Sequence, residues 1–357
     1  MDSVNPVPVP PFPAILSRLW SRLKQRSIKT FALLFALGFS LSLAVSACTP
    51  SNGANSAAPS PTSNPNQAQS SVIRIGYQKY GTLNILKARG VLEESLKPQG
   101  VSVQWIKFPA GPQLLEALNT GSIDFGHTGE APPIFAQAAG APLVYVAHEP
   151  PDPKGEAIIV PKNSAIRDVA GLKGKKVALN KGSNVHYLLV QALAAAGLKY
   201  SDIQPAYLPP ADARAAFQTG GVDAWVIWDP YFAAAQRATG ARVLRDAEGL
   251  AANREFYLAA KTFANQHPDR VKTILSAAQK VDDWAETKPT EVATLLSPQL
   301  GIDVPTLEVA AKRRHYGVQP MSSEVITYQQ QVADTFYRLG LIPKQLNISE
   351  VAQIFKQ

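Results

Sequence analysis

Four short segments concentrate the side chains that could do chemistry, and each lies between an extended apolar run and a helical one. The first is Tyr77-Gln78-Lys79-Tyr80-Gly81, where Gln78 offers an amide donor, Lys79 a charge and Tyr80 an aromatic wall. The second is Gly126-His127-Thr128-Gly129-Glu130, which runs into a helix with Pro132 near its start. Free N–H groups at such a helix entry, aided by the helix dipole, favour an anion. The third, Asn180-Lys181-Gly182-Ser183-Asn184-Val185-His186, has the same strand-to-helix form and carries the strongest local signal. Gly182 permits close backbone approach, and Ser183, Asn184 and His186 add polar side chains beside the free amides. In the fourth, Trp228-Asp229-Pro230-Tyr231, the Trp228 ring can wall the apolar part of a ligand. Arg214 is either a contact to that ligand or the partner of an aspartate. Plainer readings stand beside these: Lys79 as a solvated lysine, Tyr80 as a core ring, Thr128 and the 180–186 loop as capped turns, and Asp212 and Asp229 as helix caps.

This inventory binds rather than reacts. Cys48 is the only cysteine, which excludes an internal disulfide, a Cys-ligated zinc and a CxxC redox pair. The five histidines are scattered without HExxH spacing, so neither a metal nor another cofactor is expected. No paired carboxylates with a base stand at catalytic spacing, and no catalytic residue is assigned. The run Gly171-Leu172-Lys173-Gly174-Lys175-Lys176 precedes a strand instead of following one, so it reads as a turn, not a P-loop.

The elements that must position these loops follow from hydrophobic periodicity. Strands are expected at 72–77, 102–108, 122–126 and 143–147, with helices over 84–96, 111–120 and 132–139 between them. A second series begins at Ala157: strands at 157–160, 176–180, 204–208, 224–228 and 242–245, a short helix at 166–170, and helices at 185–196, 212–218 and 230–239. Residues 256–260 read as a strand returning to the first unit, and the tail from His267 is helical, ending in a helix over 348–355. This is an α/β protein of two lobes, each a mostly parallel sheet flanked by helices, with 72–156 plus 256–357 in lobe 1 and 157–255 in lobe 2. Ligands bind outside the carboxyl ends of strands in such sheets, which is where the four loops fall.

The N-terminus reads as an address. A basic stretch over 18–29 precedes the apolar run 31–45, too short to span a membrane comfortably, where about 20 residues are needed. Small residues then lead to Val45-Ser46-Ala47-Cys48, which resembles a bacterial lipobox, so 1–47 is expected to be a lipoprotein signal and Cys48 the acylated residue. Residues 48–71, rich in Pro, Ser and Asn, have no apolar periodicity and read as a flexible tether. Arg18, Arg22, Lys24, Arg26 and Lys29 against Asp2 put half of the net +8 into this leader. The remaining excess fits capture of a small anion and is too scattered for a nucleic-acid groove.

The segments GYQKYGTL (76–83), FPAGPQLLEALNTGSIDFGHTGEAPPIFAQAAGA (108–141), LKGKKVALNKGSNVHYLLVQAL (172–193), LPPADARAAF (208–217) and VDAWVIWDPY (222–231) closely resemble the aliphatic sulfonate-binding proteins of bacterial ABC importers. The resemblance runs from about Val72 to Leu346. It implies a type II periplasmic-binding-protein fold that closes on its ligand, and a membrane permease with its ATPase as partners. It also implies capture of alkanesulfonates outside the cytoplasm, and a monomer is expected. In that reading the amides near Thr128-Gly129-Glu130 and Ser183-Asn184, with Gln78 and Lys79, hold the head group, while Tyr80 and Trp228 face the alkyl end. Receptors for taurine, nitrate or a thiamine precursor share the fold and are the competing assignments.

Overall fold

The computed structural model describes residues 71–352; the expected signal, Cys48 and nearly all of the tether lie outside them. Ten strands form two five-stranded sheets. The first sheet has the order β2-β1-β3-β10-β4, from β1 (Ser71–Gln78), β2 (Val101–Phe108), β3 (Phe125–Gly129), β4 (Leu143–His148) and β10 (Glu255–Ala260). The second has the order β7-β6-β8-β5-β9, from β5 (Glu156–Val160), β6 (Lys176–Leu179), β7 (Gln204–Tyr207), β8 (Ala224–Trp228) and β9 (Arg242–Asp246). Each sheet with its helices forms a lobe.

One strand in each sheet runs against the others: β10 is antiparallel to β3 and β4, and β5 to β8 and β9. Both arrive directly from the other lobe. A parallel partner needs a crossover helix to bring the chain back to the same end, and a chain stepping straight across has none. The two crossings lie side by side: the Asp152 amide donates to the Ala252 carbonyl (3.0 Å) and the Asn253 side chain to the Asp152 carbonyl (2.6 Å). The second sheet's β5 begins at Glu156 and β10 at Glu255, one residue before the expected lobe boundaries.

Alternation along β5 shows how the second sheet is held. Ala157 and Ile159 join a core with Ala178, Phe217, Trp225 and Phe232, while Ile158 and Val160 face Val177, Leu179 and Val226 on the other side. Both faces are buried, so β5 reads as a continuous apolar run instead of an alternating one. Each Ile, Val, Leu or Phe among them contributes about 1.5–3 kcal/mol on full burial.

Three local expectations are corrected. The helix foreseen over 84–96 is two, α1 (Thr82–Arg89) and α2 (Val91–Leu96), because Gly90 sits in the left-handed region at φ 66° and terminates the first. The short helix foreseen over 166–170 does not form. The Arg242 guanidinium takes the carbonyls of Ser164 and Ile166 (both 2.9 Å), and only a 3₁₀ turn at Ala170–Leu172 remains. At the tail, Asn347 caps a 3₁₀ turn at Ile348–Glu350 where a longer helix was expected, and residues beyond 352 lie outside the described part.

The sheet helices that bear on the site are α3 (Gly111–Asn119), α4 (Ala131–Ala138), α5 (Asn184–Ala195), α6 (Pro210–Gln218) and α7 (Tyr231–Thr239). The helical tail adds α8 (Lys261–Gln266), α9 (Pro268–Thr287), α10 (Pro289–Leu300), α11 (Val304–Arg313) and α12 (Ser323–Arg338). Helices α9 and α10 pack on α1 in lobe 1, whereas α11 touches both α10 and lobe 2's α7.

Candidate functional site between the lobes

A small cavity of about 20 Å³ is lined by Gln78, Lys79, Tyr80 and Leu83 from the end of β1 and the start of α1, and by His127 from β3. Trp228 and Asp229 from the end of β8, Glu255 from β10, and Arg314 just past α11 complete it. Both lobes therefore contribute walls.

The β1 loop is strained where it meets this cavity. Tyr80 has φ 72°, costly for a bulky side chain, and persists because its amide donates to Asn84 Oδ1 (3.1 Å) and its ring is buried. Gly81 follows at φ 92°, ψ 175°, a conformation open only to glycine. A methyl there would lie 3.4 Å from the Arg314 guanidinium, so the backbone gives that cation its seat. Gln78 donates to the His127 carbonyl (3.1 Å), tying the first loop to β3.

Beneath the cavity lies a buried charge cluster. His127 stands 2.7 Å from Glu255 and 2.9 Å from Glu149, and Arg314 pairs with Glu149 and lies 3.7 Å from Glu255. Burial works against the His127 charge, but the two carboxylates outweigh it and push the imidazole up to about 9. Burial likewise works against Glu149, and Arg314 and His127 outweigh it, bringing that carboxylate down to about 2. Two cations and two anions thus balance at neutral pH. Thr82 Oγ lies within hydrogen-bond distance of both Glu149 (2.8 Å) and Asp282 (2.5 Å). One hydroxyl carries one hydrogen, which goes to the ionised Glu149. Asp282 must then be protonated and donate to Thr82, in accord with burial, and then Glu149, pushing it up to about 8.

Lys79 differs from these cations. Its ammonium donates to the Leu300 carbonyl at 3.4 Å and lies 6.0 Å above the Tyr231 ring of lobe 2. Burial, then the neighbouring Lys107 and Arg214, lower its pKa. Positive charge is crowded at this mouth, and an anion relieves it.

The structure brings Gln78, Lys79, Tyr80 and Trp228 together at the cavity; the other expected residues do not line it. Thr128 and Gly129 end β3, with the Thr128 hydroxyl donating to the Gly129 carbonyl (2.9 Å). Glu130 is fully buried, accepts the Arg254 amide (3.2 Å), and is pushed by burial up to about 7. Ser183 donates to the Asn180 carbonyl (2.7 Å), and Asn184 donates to Glu156 (2.6 Å) and Asn253 (2.8 Å) at the crossings. The second and third loops nevertheless meet: a methyl on Gly129 would lie 3.0 Å from the Asn184 side chain. His186 is corrected outright from ligand contact to core. It is fully buried among Phe135, Tyr200 and Phe336, accepts the Gly182 amide through Nδ1 (3.2 Å), and is driven by burial down to about 4, hence neutral. Arg214 lines a separate surface pocket with Arg237 and Asp303. Asp229, read as a helix cap, does accept the Ala233 amide (2.9 Å) at the start of α7, and also lines the cavity.

Sequence reasoning passed over His127, Glu255 and Arg314. His127 lay inside a segment already singled out, but Glu255 and Arg314 come from the returning strand and the helical tail, where no local pattern marks them.

Two α/β lobes joined by paired crossings, with a charged cavity between them, define a solute-binding protein of the periplasmic-binding-protein fold. The chain belongs to the NMT1/THI5-like family, whose profile matches residues 96–292. It is 48% identical over 279 residues to an Escherichia coli (strain K12) protein named for binding aliphatic sulfonates, covering 78% of this chain and 87% of the relative. Among solved structures it is similar to the alkanesulfonate-binding protein SsuA from Xanthomonas axonopodis pv. citri bound to MOPS. The TM-score is 0.77 and the identity 43%, covering 80% of this chain and 99% of that one. The periplasmic aliphatic sulphonate binding protein SsuA from Escherichia coli matches with TM-score 0.72 and 47% identity, covering 80% and 92%.

Proposed function

We propose that this chain captures aliphatic sulfonates between its lobes and delivers them to an ABC permease and its ATPase for sulfur acquisition, without chemical conversion. The observation that carries the reading is Lys79, a cavity-lining cation whose charge is disfavoured first by burial and then by Lys107 and Arg214. A sulfonate is singly negative at any physiological pH and presents three acceptor oxygens, so it relieves that field with no proton transfer. Trp228 and Tyr80 offer aromatic surface for an alkyl chain. The named relatives support the same ligand class. Backbone donors around Thr128-Gly129 and Ser183-Asn184 belong to the head-group site in this reading, although the two loops pack against each other and do not line the cavity. Arg214 adds field from lobe 2 rather than a cavity wall.

The discriminating experiment is a thermal-shift screen with methane-, butane- and octanesulfonate, taurine, a thiamine precursor, sulfate and nitrate. A ligand at 100 times its Kd stabilises the native state by about 2.7 kcal/mol, so alkanesulfonates raise Tm clearly. A rise only with taurine, nitrate or the thiamine precursor reassigns the receptor, and turnover of a sulfonate by the pure protein makes it an enzyme.

In the same proposal the protein works outside the cytoplasm as a monomer, held to a membrane by lipid on Cys48. Its position after Val45-Ser46-Ala47 at the end of the apolar run supports this. Cys48→Ser is expected to move the protein from the membrane fraction to the soluble fraction; retention on the membrane would refute acylation there.

A further inference from the structure

The cavity beneath Lys79 has no room for the body of a ligand. At about 20 Å³ it is little larger than the about 10–15 Å³ that one water needs. Space opens on the outer side of Lys79. Its ammonium donates to the Leu300 carbonyl (3.4 Å), and the next residue, Gly301, lines a surface pocket of about 300 Å³. Toward lobe 2 the same ammonium lies 6.0 Å above the ring of Tyr231, the first residue of α7, whose Ala234, Arg237 and Ala238 line that pocket too. Lys79 is therefore the partition between the inner cavity and the outer pocket. A ligand with its head at the cavity sends its far end past Lys79.

The outer pocket is cationic. Arg214 from α6 and Arg237 from α7 line it on lobe 2, opposite Asp303 and Thr306 at the start of α11. Asp303 is already engaged: it accepts the Thr306 amide (3.0 Å) and hydroxyl (2.7 Å) and lies 3.9 Å from Arg237. Arg214 is half-buried, and among the described residues no carboxylate stands within ion-pair distance of it, of Lys79 or of Lys107. After burial, the charges of Lys107 and Arg214 are what disfavour the Lys79 ammonium, so the three cations share one field with no anion to balance it.

We infer that this outer pocket receives the far end of the ligand, and that the preferred substrates are sulfonates carrying a second oxyanion there, a carboxylate or another sulfonate, held by Arg214. A guanidinium fork meets two oxygens of such a group at once. A plain alkyl end gains nothing from the three cations, and the ammonium of an aminosulfonate is repelled by them. Arg214 is thus a specificity residue for the far end of the substrate. The inference deepens the sulfonate reading and rests on it for the head group.

The test is calorimetry on the full chain at low ionic strength. It compares 1,4-butane- and 1,6-hexanedisulfonate and 4-sulfobutanoate with 1-butane- and 1-hexanesulfonate and with 3-aminopropanesulfonate. The dianions are expected to bind about 10-fold more tightly than the monosulfonates, the size of one charge-assisted hydrogen bond, at one ligand per chain. The aminosulfonate should bind about 10-fold more weakly than 1-butanesulfonate. Added salt should shrink the preference for dianions, because partly exposed charges are screened. In Arg214→Gln the ratio of dianion to monoanion affinity should fall to near one, while Arg214→Lys, which keeps the charge but not the fork, should retain part of it. No preference for a dianion at either length, two ligands per chain, an aminosulfonate bound as tightly as 1-butanesulfonate, or a full ratio in a folded Arg214→Gln would each overturn the inference. If monosulfonates bind without any such preference, only this inference falls. If no sulfonate binds, the sulfonate reading has failed and the inference falls with it.

Discussion

Glu149→Ala is expected to lower stability by about 3–5 kcal/mol, the cost of removing one partner from a buried ion pair. The residue is 2% exposed and is approached by Arg314, His127, Thr82 and Tyr257. Truncation leaves two buried cations facing one remaining carboxylate, Glu255, and takes the acceptor from the Thr82 hydroxyl. For a body of this size each kcal/mol corresponds to about 2–4 °C, so Tm should fall by on the order of 10 °C in differential scanning calorimetry. Glu149→Gln preserves acceptor and volume but not charge, and should lie between. A Tm within a degree or two of wild type for Glu149→Ala would show that the cluster is solvated and contributes little. Ligand affinity should fall with stability, since Glu149 holds Arg314 at the cavity.

The second large effect is the loss of stability as pH rises from 5 to 8. Burial pushes Asp229 up to about 6, Glu130 and Asp152 up to about 7, and Asp282 up to about 8. A carboxyl whose folded pKa exceeds its unfolded value near 4 is protonated in the fold and ionised in the unfolded chain across that interval. Stability is then full below the unfolded pKa and is lost as pH rises through the folded one. Glu130 alone, moving from 4.5 to about 7, accounts for about 3 kcal/mol at 1.36 kcal/mol per unit. His127, raised to about 9, acts in the same direction between 6.5 and 9. His186, lowered to about 4, opposes them, but only below 6.5. Glu149, lowered to about 2, holds its contribution above about 4.5 and loses it only in strong acid. Melting temperature should therefore decline through neutral pH, and Asp282→Asn should flatten the decline, because an amide reproduces the donor that Thr82 already requires of a protonated Asp282. A Tm that rises between pH 6.5 and 8, or an unchanged slope in Asp282→Asn, would contradict the assignment of protons.

The lobes were legible because both sheets announce themselves in period and sequence order. Apolar runs such as Val177–Leu179 and Ala224–Trp228, separated by amphipathic helices closed by glycines, specify parallel strands with crossovers, whereas nothing in the Ala157–Val160 run announces that it pairs antiparallel. The strand-end loops followed from the same rule, and Gln78, Lys79, Tyr80 and Trp228 do reach one cavity. Local elements failed where a distant side chain intervened. Arg242 took the Ile166 carbonyl that a helix over 166–170 would have used, along with that of Ser164 just before it, and no reading of that window alone contains Arg242.

What the chain determined by itself is the part governed by neighbours in sequence: the alternation of elements, the loops that end the strands, the leader with Cys48, and the family resemblance. What only the folded molecule decided is which polar groups share a desolvated space. His186 looks like a donor in its loop, yet the packing of Phe135 and Phe336 makes it neutral core. Arg314 looks like one more basic residue at a helix end, yet Glu149, Glu255 and the Gly81 backbone draw it into the cavity. Burial and long-range charge pairing set those roles, and both depend on residues far away in the chain, such as Phe336 for His186 and Glu149 for Arg314.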